Sequence, residues 1–222
     1  MKTESDDHRF TRAEEMANAV SHLSGAVLAT AGLVLMSVFS AVRGNAWHVV
    51  STSVFGATMI LTYLASTIAH WLKPGRSKEF FFQLDHIAIF LLIAGTYTPL
   101  TLVALRGALG WTIFGIEWTL AVTGIVLKFS HIGKTGQGVN FLFILLYAVM
   151  GWLLVIAVVP IVKTFPLMGF LWILIGGICY TVGIFFYRVA RFRFHHLVWH
   201  ILVIAGSICH WFAIFFYIIP SR

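Results

Sequence analysis

The chain has 222 residues, of which 59% are hydrophobic and only 10% are charged. A soluble domain of this length carries about a quarter of its residues charged, so the composition excludes water as the main solvent and requires a bilayer. The formal net charge of +7 does not point to nucleic acid, because the basic residues stand in short clusters between apolar runs and form no continuous face.

Residues 1–19 are dense in charge (Lys2, Glu4, Asp6, Asp7, Arg9, Arg12, Glu14, Glu15). They read as a cytoplasmic N-terminal segment without the profile of a cleaved signal peptide. Residues 20–222 read as one transmembrane domain. About 20 apolar residues cross about 30 Å of hydrocarbon, and runs of that kind fall at Val20–Val42, Ala46–Leu72, Gln83–Leu105, Leu109–Leu127, Val139–Val162, Phe165–Tyr187 and Leu197–Ile219. The expected fold is therefore an all-α membrane protein, a bundle of seven transmembrane helices. Connections are short, so consecutive helices should be antiparallel neighbours. Gly25, Gly32, Gly95, Gly115, Gly176, Gly177 and Gly206 are expected to allow close helix contact. Pro99 and Pro160 should kink their helices or lie where neighbours satisfy the freed carbonyl. Cys179 and Cys209 fall inside apolar runs and read as packing residues.

Basic residues concentrate on the cytoplasmic side of a membrane protein. Eleven of the fifteen Lys and Arg residues (Lys2, Arg9, Arg12, Lys73, Arg76, Lys78, Lys128, Lys134, Arg188, Arg191 and Arg193) share the N-terminal side, against Arg43, Arg106, Lys163 and Arg222 opposite. The N-terminus is thus expected inside and the C-terminus outside, in a multi-pass protein of the cell (inner or plasma) membrane. That arrangement is the reverse of a G-protein-coupled receptor, and the last helix lacks the lysine of a retinal Schiff base.

Ionisable groups cost a few kcal/mol each in hydrocarbon and usually mark function. With this topology His22 starts the first helix, His70 ends the second, Asp85 starts the third, and His196 with His200 starts the seventh. All are expected at one depth on the cytoplasmic side. His196 and His200, four residues apart, project from one helix face about 6 Å apart along the axis, a spacing at which two imidazoles can share a metal. Metal binding and hydrogen bonding to headgroups or carbonyls both stay open for such a pair alone. Ser66 stands one turn before His70. Three neutral histidines with an open fourth position make a catalytic zinc site, at which Asp85 would hold the water or act as general base. Glu15, Asn18 and His22 share one face and are expected to orient the ligands. His195 should face the membrane interface, His86 should point away from the site, and His210 lies too far along its helix to share the metal. For Glu117, core hydrogen bonding and a proton path both stay open.

The segments EEMANAVSH, LASTIAH, LDHIAIFLLIAGTYTP and HHLVWHILVIAGSICH, in this order on seven spans, resemble the hemolysin III family, the bacterial branch of the progestin and adiponectin receptor (PAQR) superfamily. The resemblance covers essentially the whole chain. It implies an inward N-terminus, zinc held by His70, His196 and His200, and a water near Asp85 with Ser66 close by. The superfamily includes ceramidase-like lipid amidases, so the resemblance implies a zinc-dependent hydrolase of a lipid amide or ester, with membrane lipid as its substrate or ligand. The alternative is a non-enzymatic membrane-homeostasis regulator, receptor or oligomeric haemolytic pore, with structural or sensory zinc. Helices five and six show almost no polar stripe, which argues against a single-chain channel. A reporter fused after Arg222 should report an extracytoplasmic C-terminus; a cytoplasmic signal would overturn the topology.

Overall fold

The computed structural model describes residues 10–130, 137–188 and 192–220, with 137–140 and 164 as backbone alone. Lys2, Arg9, Lys134, Arg191 and Arg222 of the charge comparison lie outside these residues, as does most of the charged segment before Phe10.

Among the described residues there are eight α-helices: α1 (Arg12–Arg43), α2 (Ala46–Trp71), α3 (Arg76–Pro99), α4 (Ala108–Ser130), α5 (Gln137–Trp152), α6 (Val158–Thr164), α7 (Leu167–Arg188) and α8 (His195–Tyr217). α3 continues through a π-helical stretch, Leu100–Ala104, and a 3-10 stretch, Leu153–Ala157, joins α5 to α6. They make seven segments long and apolar enough to cross a membrane, the fifth of them Phe141–Lys163. The seven-span bundle expected from hydropathy is therefore present. Val27, Leu28, Val34, Leu35 and Val38 on α1, and similar rows on the other spans, are exposed; lipid is the cover such rows require.

α1 begins at Arg12, well before the predicted Val20. Thr11 and Glu14 form a capping box, in which the Glu14 carboxylate accepts from the Thr11 N–H at 2.9 Å and the Thr11 hydroxyl accepts from the Glu14 N–H at 3.3 Å. These bonds satisfy donors that a helix start leaves open, so Arg12, Glu14 and Glu15 extend the first helix instead of preceding it.

α1, α2 and α3 pack in sequence, α7 pairs with α8, and α8 returns to α1. α5 meets α3 and α7, and α4 packs on α3 and α5. Five of the seven expected glycines lie at close approaches. A Cβ at Gly32 would meet the Trp211 ring at 2.7 Å, and one at Gly95 would meet Thr58 at 2.1 Å. Gly25, Gly176 and Gly206 are similarly tight. Gly115 and Gly177 are corrections, since a side chain there would meet nothing within 4 Å.

Both prolines sit beside departures from α geometry. The π-helix follows Pro99, and the Thr101 hydroxyl donates to the carbonyls of Tyr97 and Thr98 at 2.8 and 3.2 Å. The 3-10 stretch precedes Pro160, whose ring cannot follow an unbroken α-helix. Tyr97 bridges that break: its hydroxyl donates to the Gly151 carbonyl at 3.0 Å and accepts from the Leu154 N–H at 2.8 Å. Tyr97→Phe leaves both groups unpaired at about 1–3 kcal/mol each, so its thermal midpoint in detergent should fall by several degrees; an unchanged midpoint would refute the bridge.

Candidate metal centre

The first turn of α1 carries two acidic residues with separate tasks. Glu14, besides closing the capping box, accepts the Phe194 N–H at 3.0 Å. Phe194 precedes α8 in the left-handed region, at φ 62°. One carboxylate therefore joins the starts of the first and last spans and sets His196 and His200 beside α1. Glu15 turns to α2. Its Oε2 accepts from His70 Nδ1 at 2.7 Å, and its Oε1 pairs with Lys78 Nζ at 2.9 Å. Lys78 also donates to the Ala69 and Leu72 carbonyls at the end of α2, at 3.0 and 3.2 Å. A carboxylate only accepts, so the His70 proton resides on Nδ1 and Nε2 keeps a free lone pair.

His70, His196 and His200 converge, all three buried, with one ligand nitrogen of each within 4.8 Å of the others. Ring centroids lie 5.1 Å apart for His70 with each partner and 4.6 Å for His196 with His200. His200 Nδ1 donates toward the Asn18 carbonyl at 3.2 Å, with the Ser21 hydroxyl at 3.1 Å. Nε2 of His70 and Nε2 of His196 are buried without a partner. Buried lone pairs normally find a donor; two orphans converging with a third imidazole are what a cation would satisfy. The donor set fits a metal ion, with outer hydrogen bonds fixing the rings as ligand histidines require.

The three residues expected to orient the ligands differ in what they touch. Glu15 orients His70. Asn18 acts on His200 through its main-chain carbonyl, whereas its side-chain amide has no hydrogen-bond partner. His22 lies flat on His200, centroids 3.6 Å apart and planes at 7°, with both of its nitrogens unpartnered.

Ser66 is fully buried one turn from His70. The neighbouring hydroxyls of Thr62 and Thr67 donate back to the Thr58 and Tyr63 carbonyls, but Ser66 Oγ has no partner of normal geometry. Asp85 is half-buried beside Ser66 and His70 and faces the adjoining cavity. His86 is bonded to the Phe82 carbonyl at 2.7 Å and the Tyr187 hydroxyl at 3.1 Å, and it lines the same cavity as Asp85 and His196. His195 corrects the interfacial expectation: it is half-buried, approaches the Phe186 carbonyl at 3.3 Å, and lines the cavity. Phe10 had no signal in helical periodicity, since it precedes α1. Its ring covers the cluster, 5.0 Å from His196, 5.8 Å from His195 and 6.0 Å from His70.

The cavity measures about 540 Å³, within the range of pockets that hold small molecules. Phe10, His22, Asp85 and His196 line one end, and Tyr97, Ile173 and His210 line the other. From His196 to His210 along α8 is about 21 Å at 1.5 Å per residue. Between these ends the wall is largely Ile, Leu, Val and aromatic side chains. Glu117 does not line the cavity: it is fully buried in α4, and neither oxygen has a hydrogen-bond partner among the described residues.

A family model described as Haemolysin-III related matches residues 10–211. A protein called Hemolysin-3 homolog from Bacillus subtilis (strain 168) is 43% identical over 198 residues, covering 87% of this chain and 89% of that protein. Hemolysin-3 of Bacillus cereus is 40% identical over 190 residues, covering 86% of this chain and 85% of that protein. No solved structure matches the chain. The matched region contains the four segments that carry the resemblance, the three histidines and Asp85, and the chain is a multi-pass member of the haemolysin III-related family.

Proposed function

We propose that this protein is a zinc-dependent hydrolase of a lipid amide or ester, set in the cell membrane with its histidine cluster toward the cytoplasm. One observation carries the reading: three buried histidines converge, two of them held from behind, and one of them, His196, lines a long, largely apolar cavity together with the carboxylate of Asp85. Three neutral nitrogen ligands leave the remaining positions of a metal open, the arrangement of catalytic rather than structural zinc.

Zinc in this site supplies Lewis-acid polarisation of a carbonyl and an acidified water. The remaining work falls to the chain. His70, His196 and His200 donate lone pairs, and Glu15 keeps His70 turned inward with its proton on Nδ1. Asp85 accepts the proton released as water attacks and returns it to the leaving amine or alcohol. Ser66 donates its hydroxyl to the attacking water or to the developing oxyanion. The cavity excludes water and holds the hydrocarbon part of the substrate, and the basic residues around the helix starts favour the anionic cytoplasmic surface.

Metal analysis of purified protein should find one equivalent of zinc, lost in His196→Ala; wild type without stoichiometric metal would end the proposal. Glu15→Gln should keep the fold and weaken metal affinity about 10–100-fold, read by competition with a chelator. Asp85→Asn should retain metal while turnover on a panel of lipid amides and esters falls by about 10²–10⁴. Metal present with no turnover by wild type on any lipid would favour a sensory or structural role.

A further inference from the structure

At the end of the cavity where His196 and Asp85 lie, one wall carries a fixed positive charge. Among the side chains lining the cavity, Arg188 is the only Lys or Arg and Asp85 the only carboxylate. Arg188 is the last residue of α7 and is exposed, so its guanidinium is open to a ligand that enters from this end. A cation also suits the C-terminal end of a helix, which accounts for a charge at this point but not for its place on the cavity wall.

The groups around Arg188 leave that charge unneutralised. It makes no ion pair among the described residues. Asp85 is engaged by His70 and Ser66 and not by Arg188, although Tyr187 stands within electrostatic reach of both. The neighbouring polar groups have their protons committed elsewhere. A carbonyl only accepts, so His86 turns Nδ1–H to Phe82 at 2.7 Å, and Nε2 of the neutral ring takes the Tyr187 hydroxyl proton at 3.1 Å. His195 likewise turns Nδ1–H to the Phe186 carbonyl at 3.3 Å. The donors free for an anion at this end are those of Arg188. A guanidinium is planar and always charged, and its fork of N–H groups matches the paired oxygens of a phosphate or carboxylate.

Position along the cavity decides which part of an amphiphile meets it. The Tyr187 ring lies 5.9 Å from His196 and 5.7 Å from Trp199, and Arg188 is the next residue, where α7 ends. From the mouth inward the wall therefore runs from Arg188 through Tyr187 and His196 to Trp199 and Val203. We propose that Arg188 binds an oxyanion, phosphate or carboxylate, carried on the head of the amphiphile outside the bond that is cleaved. The substrate class is then an acyl amide or ester whose amine or alcohol part is anionic. In its hydrolysis the oxygen of water joins the acyl carbon, the C–N or C–O bond breaks, and a proton passes to the departing amine or alcohol. The anion leaves with that part, and the acyl chain stays in the apolar part of the cavity. The inference rests on the reading that this cavity holds an amphiphile with its head at the metal centre.

The test is binding to the protein as purified, in micelles of an uncharged detergent. Three amphiphiles with one brominated hydrocarbon chain serve as probes: an alkyl phosphate, an alkyl glycoside and an alkyltrimethylammonium. Quenching of tryptophan fluorescence reports them, since Trp152 and Trp199 line the cavity. Wild type should bind the phosphate about tenfold more tightly than the glycoside, the low end for a charge-assisted contact, and the preference should shrink as salt is raised. Arg188→Gln, with its metal content unchanged, should bind the glycoside as before and lose the preference; Arg188→Glu should favour the ammonium. Equal binding of the three probes by wild type would overturn the inference. So would a preference that survives Arg188→Gln, which would place the anion at the metal. Inorganic phosphate that displaced the alkyl phosphate at equal concentration would show a site for free anions and overturn the headgroup assignment. Binding of no probe would overturn the amphiphile reading along with it.

Discussion

The hydrogen bond from the Phe194 N–H to Glu14 is the constraint on which the remainder of the site depends. It ties the first turn of the first span to the residue preceding the last, and so closes the ring of helices at the end where the ligands lie. Without that tie His196 and His200 would still share a helix face, but their depth relative to His70 would rest on apolar packing and on neutral hydrogen bonds from α8 to α1 at His200 and Trp211. Apolar packing between helices in lipid discriminates poorly between neighbouring registers, because lipid tails are as apolar as leucine. A charged group with a defined partner discriminates well. Glu15 repeats the device one residue later, binding the end of α2 through His70 and the start of α3 through Lys78. Two adjacent carboxylates thus register α1 against α8, α2 and α3, the helices that carry the cluster and Asp85.

Among the described residues, most of the buried polar atoms without a partner gather at one end of the bundle, those of Tyr63, Glu117 and His210 apart. Nε2 of His70, Nε2 of His196, Ser66 Oγ, both nitrogens of His22 and the Asn18 amide are buried and unpartnered. They belong to residues that neighbour one another in the same end of the bundle. Each unsatisfied buried group costs about 1–3 kcal/mol, and a fold of ordinary stability, about 5–15 kcal/mol, does not keep so many together without a compensating ligand. The rings of His70 and His200 are meanwhile fixed by bonds through Nδ1, which is ordering expended on aiming Nε2. That combination of aimed and unsatisfied groups favours a bound cation over a chance collection of core histidines.

Much of this was legible in the sequence, for identifiable reasons. Hydropathy located the spans because the bilayer imposes a length, and the charge pattern led to an expected common depth for His70, Asp85, His196 and His200. The structure brings those residues to one end of the bundle whichever side of the membrane that end faces. Glu15 was visible because it shares a helical face with His22. Glu14 was not, because its role needs the Phe194 amide 180 positions away, and no local pattern marks that pairing. Ser21 and the Asn18 carbonyl were hidden for the same reason, and main-chain acceptors carry no residue signature. Phe10 precedes the helix whose period would have revealed its direction. His195 was misplaced because helical phase alone ignores the turn before α8, where the left-handed Phe194 changes the approach of the chain.

The cavity itself was beyond reach of periodicity, since it comes from a local failure of the α-helix. The fifth span changes to 3-10 geometry at Leu153–Ala157, which tightens the winding and displaces backbone groups that a continuous helix would pair. In hydrocarbon such groups are tolerated only where protein satisfies them. Tyr97 satisfies two, one on either side of the change. Its own helix passes into a π-helix a few residues later, so an irregular stretch of α3 faces an irregular stretch of the fifth span. At the same level Gly151 and Gly177 line the cavity and contribute no side chain to fill it. An unbroken fifth helix with larger residues at these positions would have closed the space as ordinary core. The bundle instead accepts irregular backbone and bridges it with one tyrosine, keeping a channel-like volume between the histidine cluster and His210. The histidine cluster at one end and His210 at the other are separated by that volume, and its length makes the distance between them a physical property of the fold.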